Sequence, residues 1–468
     1  MKHDLEEPLV WLTGLSLAIA CMMIIGLLGL VAFNGLLTFW PRPLVELTLA
    51  DGTRVLGEIT RSERFRPEET GGSIRRRLIR IGNYDLYGED FRWVSDSEVV
   101  SERAPADAWL IERREWGAAI GTPQALVRDG QPLAQGPDAV ASAFGVEHER
   151  ALTAWREIGR LERREMSAVN DRIEKLRLRV RKAGLSHGEN SDAYRAAVAE
   201  AAREEATLDT AHREIEVRLQ AARDEASRSR LLLIEPGGRL IPERPAAPET
   251  PLGLSQIVRA YPANALTFSG RVGVYLDRWK EYLFAEPREA NTEGGVFPAI
   301  FGTFVMTVLM SLAVAPLGVI AALYLREYAR QGPLVSTVRI AVNNLAGVPS
   351  IVFGVFGLGF FCYALGGTID SLFFPEKLPS PTFGTGGVLW ASLTLALLTV
   401  PVVIVATEEA LAVVPRSLRE GSFACGASRW QTIHRIVLPR ATPGIMTGLI
   451  LAMARGAGEV APLMLTGV

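Results

Sequence analysis

The chain has 468 residues, enough for several domains, with a formal net charge of −2 and a pI of about 6.3. That balance supplies no global basic field and argues against nucleic acid as a partner. Mean hydropathy is +0.17, an average over a mosaic of long uncharged stretches and highly charged ones. The three cysteines are Cys21, Cys362 and Cys425, so residues 42–293 hold no disulfide.

Residues 8–41 contain no charge. About 20 apolar residues cross a bilayer, and this run is long enough to do so with some tilt. A signal peptide would have an apolar core of only about 7–15 residues behind a basic start. Here Lys2 is outweighed by Asp4, Glu6 and Glu7. Residues 1–41 therefore read as an uncleaved anchor.

After Arg42 the period changes to two. Val45, Leu47 and Leu49 alternate with polar residues, Asp51-Gly52 gives a turn signal, and residues 55–59, 78–81 and 91–94 continue as strands. Asp129-Gly130 repeats the turn signal. Residues 42–145 are expected to be β-rich. From about Glu147 the spacing becomes helical: Met166, Val169, Ile173, Leu176 and Val180 step by threes and fours between Glu and Arg flanks. A break around Gly184 and Gly188 precedes a second arm bearing Tyr194, Leu208 and Ile215. Residues 146–230 thus read as an antiparallel coiled-coil hairpin, a solvated spacer or a partner-binding arm. Residues 231–252 read as returning strands and a proline-rich linker. Residues 253–285 read as an amphipathic helix whose Val272, Tyr275, Leu276, Trp279 and Leu283 suit either a membrane interface or a face buried on the β domain.

Residues 294–325, 340–369 and 378–407 are again uncharged, and a further apolar stretch runs from Ala441 to the end, interrupted by Arg455 and Glu459. Four such runs make residues 294–468 a polytopic bundle. Short cytoplasmic links carry excess Arg and Lys. Arg326, Arg330 and Arg339 mark one link, and Arg416, Arg419, Arg429, Arg435 and Arg440 mark another. The link with Asp370, Glu376 and Lys377 is not basic. Alternation then puts residues 42–293 on the outer, periplasmic side of an inner membrane and residues 408–440 inside. By parity a final span is expected beyond Val468.

The polar segment 408–440 is too long for a simple connector. Two short helices joined near Gly426 would form a rounded knob for a soluble partner. The segment resembles the coupling loop of ABC importer permeases, E-A-A-x3-G-x9-I-x-L-P. Glu420, Gly426, Ile436, Leu438 and Pro439 fall on that pattern, with Gly421 and Ser422 in place of the alanines. Residues 286–295, 341–354 and 451–462 are similar to PstA-type permeases of phosphate importers, a resemblance that covers about residues 285–468. It implies a second permease subunit as heterodimer partner, a pair of ATPase subunits on the coupling loops and an extracytoplasmic phosphate-binding protein. It also implies that this chain binds no cofactor and that a partner uses the ATP. In accord, no lysine follows a glycine, which excludes a G-x-x-x-x-G-K-[ST] phosphate loop. No metal-ligand or nucleophile spacing is evident.

Arg455 and Glu459 are four apart inside an apolar stretch. A charge at that depth costs about 2.5–3.5 kcal/mol on insertion scales. The pair is expected either to brace the bundle or to line an anion path, with Arg455 meeting phosphate. Asn343, Asn344 and Ser350, near the start of the third run, are further path candidates or interhelical bonds. The expected fold is mainly α: a membrane helical bundle of the ABC importer permease type with an extracytoplasmic β domain carrying the hairpin. The expected function is phosphate import. Permeases for molybdate or sulfate, a membrane-anchored sensor or scaffold, and a secondary transporter with internal repeats are the competing readings.

Overall fold

A computed structural model describes residues 6–65, 73–84, 88–236, 238, 240–241, 252–288 and 291–467. The N-terminal flank 1–5, the linker 242–251, Gly237, Glu289, Ala290 and Val468 lie outside the described residues. Two units divide the chain: residues 1–171 with 207–297, and residues 172–206 with 298–468.

In the first unit α1 (Glu6–Thr38) carries no charge after Glu7, and its span Trp11–Thr38 is not buried within the chain. Two antiparallel sheets follow. The first has strand order β4-β3-β2-β1-β5, from β1 (Leu44–Leu49), β2 (Arg54–Phe65), β3 (Ile74–Arg80), β4 (Phe91–Ser95) and β5 (Val99–Arg103). The second runs β10-β9-β7-β6-β11, with β6 (Trp109–Arg113), β7 (Ala118–Arg128), β8 (Gln131–Gln135) paired to β7, β9 (Ser229–Ile234), β10 (Leu240–Ile241) and β11 (Ile257–Pro262). Alternating burial along β9 is the signature of a strand with one face on the core. Trp109, Ile111, Leu126, Leu231 and Leu233 form that core with Phe144 of the following helix. At the β7–β8 turn Asp129 (φ 51°) and Gly130 (φ 77°) are both left-handed. That geometry matches the twist of the two strands, so the Asp-Gly pair sets the register Arg128↔Gln131.

The first hairpin arm starts earlier than 146. Gly136 (φ 82°) ends β8's exit and Pro137 opens α2 (Pro137–Arg160), a position where its missing N–H costs nothing. A π turn (Leu161–Met166) leads into α3 (Ser167–His187), and α4 (Asp192–Ser227) returns. Glu165 and Glu162 accept from Arg218 (2.8 Å) and Arg223 (2.7 Å) of the opposite arm. The expected helix over 253–285 is likewise shorter. Residues 257–262 form β11 against β6, and only α5 (Phe268–Phe284) is helical, begun where the Thr267 hydroxyl accepts from the Gly270 N–H. The β-branched and aromatic content of 257–262 favours a strand, and Thr267 is a good N-cap.

The second unit holds the hairpin's far end, where Arg172 and Arg177 lie 3.5 Å from Glu204 and Glu205, and the remaining helices. These are α6 (Phe297–Leu323), α7 (Pro333–Leu345), α8 (Ser350–Gly357), α9 (Gly367–Phe373), α10 (Val388–Val413), α11 (Arg416–Ala424), α12 (Arg429–Thr432), α13 (Leu438–Ala457) and α14 (Ala461–Thr466). A π turn (Leu358–Gly366) joins α8 to α9 in one span, and another (Ile433–Val437) joins α12 to α13. Among the described residues five helices are long and apolar enough to cross a membrane: Trp11–Thr38, Phe297–Tyr328, Ser350–Phe373, Val388–Val413 and Arg429–Ala457. The last three start at 350, 388 and 429, against 340, 378 and 441 expected, and the first two of them end at 373 and 413, only a few residues past 369 and 407. Pro349 and Gly347 break the chain between α7 and α8, and both α10 and the last helix accept charged residues in their end turns.

α10 is the central helix, with 61% of its span window buried. Its hydroxyls Ser392, Thr394 and Thr399 donate to the carbonyls four residues back, which pairs these donors in an apolar setting, while the buried Thr407 hydroxyl has no partner among the described residues. α10 and α13 approach through small residues: a Cβ on Gly448 would lie 2.4 Å from Ala406 Cβ. Small residues allow such close helix contact in membranes. Gly448→Val is therefore expected to force the helices apart and cost about 1–3 kcal/mol. The thermal midpoint of the detergent-solubilised protein should fall, and an unchanged midpoint would refute this packing.

Candidate functional site

The polar segment leaves α10 at Val414 and turns back at Gly426. Pro415 starts α11. Leu418 packs beside the buried Leu411, Val414 and Val437, while Glu420 on the same short helix is exposed. Gly426 has φ +80°, a left-handed conformation that glycine adopts without penalty. Ser428 then caps the next helix in a capping box: its Oγ accepts from the Gln431 N–H (3.2 Å), and Gln431 Oε1 accepts from the Ser428 N–H (2.8 Å). The two sides of the turn are tied by the buried Ser422 and Thr432 hydroxyls, 2.8 Å apart. Ser422 is thus a hydrogen-bonding residue as well as a small one.

One ion pair holds the segment to the ends of the spans, and a second holds α7 to α10. Arg419 donates to Glu327 (2.8 Å), just beyond α6, and to the Val414 (2.7 Å) and Leu411 (3.0 Å) carbonyls at the end of α10. Both side chains are largely buried, at 17% and 14% exposure. Arg339 of α7 donates to Glu408 of α10 (3.1 Å). The Arg429 guanidinium lies 5.5 Å from the Tyr328 ring centre. Facing outward around the Gly426 corner are Phe423 (47% exposed) and Trp430 (63%), the latter stacked on His434.

The five motif residues separate into two groups. Glu420, Gly426 and Pro439 are exposed, while Ile436 and Leu438 are half-buried, Leu438 against the cluster of Leu411, Val437 and Ala441. Leu438 and Pro439 do not end the loop: they lie inside the continuous helix Arg429–Ala457. The π turn just before Pro439 relaxes the helix where proline offers no N–H.

The path candidates are not all gathered in one place. Asn343 and Asn344 are exposed on α7, outside the spanning helices. Asn343 lines a cavity of about 290 Å³ with Arg326, Arg339, Glu408 and Glu409, and Arg455 does not line it. Ser350 is the first residue of α8. Arg455 lies in the last turn of α13. The helix ends at Ala457, and Gly458 caps it, so Glu459 lies beyond the helix instead of on its face. The two charges still approach to 3.7 Å, with side chains 34% and 20% exposed. Among the described residues no group of three His, Cys, Asp or Glu is placed to hold a metal.

Sequence reasoning missed Arg419, Glu327, Arg339 and Glu408 as a connected set. One signal was available: Glu327 is the single acid in the otherwise basic link 326–339.

Residues 314–467 match the family model described as binding-protein-dependent transport system inner membrane component. Over those residues the membrane region of this chain is similar to that family. Within it, the chain is similar to the phosphate transport system permease protein PstA of Mycobacterium leprae (strain TN), 42% identical over 171 residues, 36% of this chain and 50% of the relative. The PstA of Yersinia pestis is 37% identical over 188 residues, 40% of this chain and 58% of the relative. The chain thus spans about half the length of these curated relatives. An inward-facing structure of the MetNI methionine ABC transporter aligns at TM-score 0.29 and 22% identity, over 36% of this chain and 77% of that one. Four of the five spans lie wholly or partly in the matched region, and the protein is a multi-pass membrane protein.

Proposed function

We propose that this chain is a permease subunit of an ATP-driven phosphate importer and that the Gly426 corner receives the stroke of a partner ATPase. One observation carries the reading. The corner is exposed, bears Glu420, Phe423 and Trp430, and is fastened from behind to the ends of α6 and α10 by Arg419. A push on the corner is therefore passed to two spans. In this reading the partners are a second permease subunit, a pair of ATPase subunits and an extracytoplasmic phosphate-binding protein. This chain hydrolyses nothing. ATP binding draws the two corners together, and the spans tilt to open the path to each side in turn.

The loop then faces the cytoplasm, and residues 42–293 face the periplasm. Lys182 at the hairpin tip lies 4.0 Å from Glu376, in the non-basic link between α9 and α10, which supports a common side for both. Proteoliposomes holding this chain with those partners should accumulate phosphate only with ATP, and molybdate or sulfate should not compete. Preferential uptake of either oxyanion would move the assignment to that substrate, and uptake independent of ATP would overturn it.

Arg455 is our candidate for the anion path. Its guanidinium suits an oxyanion, and Glu459, at 3.7 Å, competes for it and limits how tightly the anion is held. Arg455→Gln should abolish uptake while the subunits still co-purify. Normal uptake by that variant would remove Arg455 from the path and leave the pair as a brace.

A further inference from the structure

We propose that α5 lies in the lipid headgroup layer, with the β domain above it and its Val272–Leu276–Leu283 stripe turned into the bilayer. The helix has three distinct faces. Val274 packs on the core of the β domain that contains Leu110 and Tyr261. Arg278 reaches Glu112 and the Tyr261 hydroxyl, and Glu281 pairs with Arg259 and Arg288. At about 100° per residue, Val272, Leu276 and Leu283 lie roughly opposite those contacts. Leu276 is 59% exposed and Leu283 38%, while Phe268, at the start of the helix, is 75% exposed. Asp277 and Lys280 fall on a third, polar face.

The chain around α5 identifies what covers the stripe. Between the two faces, the aromatic flank of α5 packs on the end of the α1 span. Phe39 meets Trp279 and Tyr282 at 4.9 and 5.1 Å between ring centres, and Trp40 meets Tyr275 and Phe268 at 5.6 and 6.2 Å. The Arg278 guanidinium also donates to the Phe39 carbonyl (3.1 Å). At its other end the Tyr282 carbonyl accepts from the Val296 N–H (2.8 Å), and α6, the next span, starts at Phe297. Both ends of α5 are thus held where the chain leaves and re-enters the membrane. Trp and Tyr rings gather at that level, and an amphipathic helix there buries its apolar face at the headgroup–acyl boundary. The stripe is a continuation of the lipid-facing surface of α1.

The test is a cysteine scan of the full chain in phosphatidylethanolamine–phosphatidylglycerol nanodiscs, with Cys21, Cys362 and Cys425 replaced. A fluorescent label is placed in turn at Leu276→Cys, Leu283→Cys, Asp277→Cys and Lys280→Cys. Nitroxide lipids labelled high on the acyl chain should quench the 276 and 283 probes several-fold more than the 277 and 280 probes. Iodide in the water should give the reverse order. Equal iodide quenching at all four positions would overturn the proposal, leaving a solvated helix. Protection of 276 and 283 from both quenchers would overturn it too, placing a protein surface over the stripe.

Discussion

Under the proposed function, Arg419→Ala is expected to uncouple ATP hydrolysis from phosphate uptake, and it should destabilise the bundle by about 3 kcal/mol, the scale for breaking a buried ion pair from one side. Glu327 would keep its charge in a largely buried site, and the Val414 and Leu411 carbonyls would lose their guanidinium donor. The thermal midpoint in detergent reads the stability. The ratio of ATP hydrolysed to phosphate moved, in the reconstituted system, reads the coupling. Hydrolysis should continue while uptake falls. The double variant Glu327→Ala/Arg419→Ala should lose less stability than the two single losses added together, because it leaves no orphan charge. A single variant with normal stability and a normal ratio would show that the pair does not link the loop to the spans.

Arg278→Ala is expected to have the second large effect, about 3–5 kcal/mol, confined to the first unit. Arg278 donates to Glu112 (2.8 Å), the Tyr261 hydroxyl (2.7 Å) and the Phe39 carbonyl (3.1 Å). It thereby ties α5, β6, β11 and the end of α1 together. Burial pulls the Glu112 carboxyl up, but Arg278 and then Arg259 outweigh it and hold the group below the usual glutamate range. A carboxylate with a lowered folded-state pKa contributes stability above its unfolded-state pKa and loses it as the pH falls through the folded-state value. The first unit of the unaltered protein should therefore resist mild acid and weaken only below the ordinary glutamate range. Arg278→Ala removes the largest opposing charge, so its acid transition should move to higher pH. Hydrogen exchange of β6 and β11 in the full chain, followed against pH, checks both points. An acid transition at the same pH in both proteins would remove Glu112 from the balance.

The membrane helices were legible because uncharged runs leave little choice of environment. Their ends were harder to place. The expected run 340–369 includes residues that the structure gives to the separate helix α7, since Gly347 and Pro349 interrupt a sequence with uniform hydropathy. The strand β11 was hidden for the opposite reason. Tyr261 and Ile257 also fit a helical stripe, and only pairing with β6 favours the extended form. The polar segment was legible as a spacing, Glu420 to Gly426 to Pro439, because a left-handed glycine is a local requirement, whereas the continuation of the helix Arg429–Ala457 through Pro439 was not. Arg419 was not legible as a connector, because its partner Glu327 is 92 residues away. The path candidates were legible only as residue types: Asn343 met the cavity beside Arg339, and Glu459 fell past the end of its helix.

The sequence alone determined the quantities that depend on neighbours along the chain. These are the uncharged spans, the Asp129-Gly130 turn, the Gly426 corner and the amphipathic character of α5. It left open which way α5 would turn, because either a lipid surface or the β domain satisfies an apolar stripe. Only the tertiary structure decided that the Arg278 and Glu281 side takes the β domain while Leu276 and Leu283 stay exposed. The physical reason is that Arg278 must find Glu112 to be buried at an acceptable cost, and Glu112 is brought to it by β6. Once that polar face is fixed, the helical period places the leucines on the opposite side.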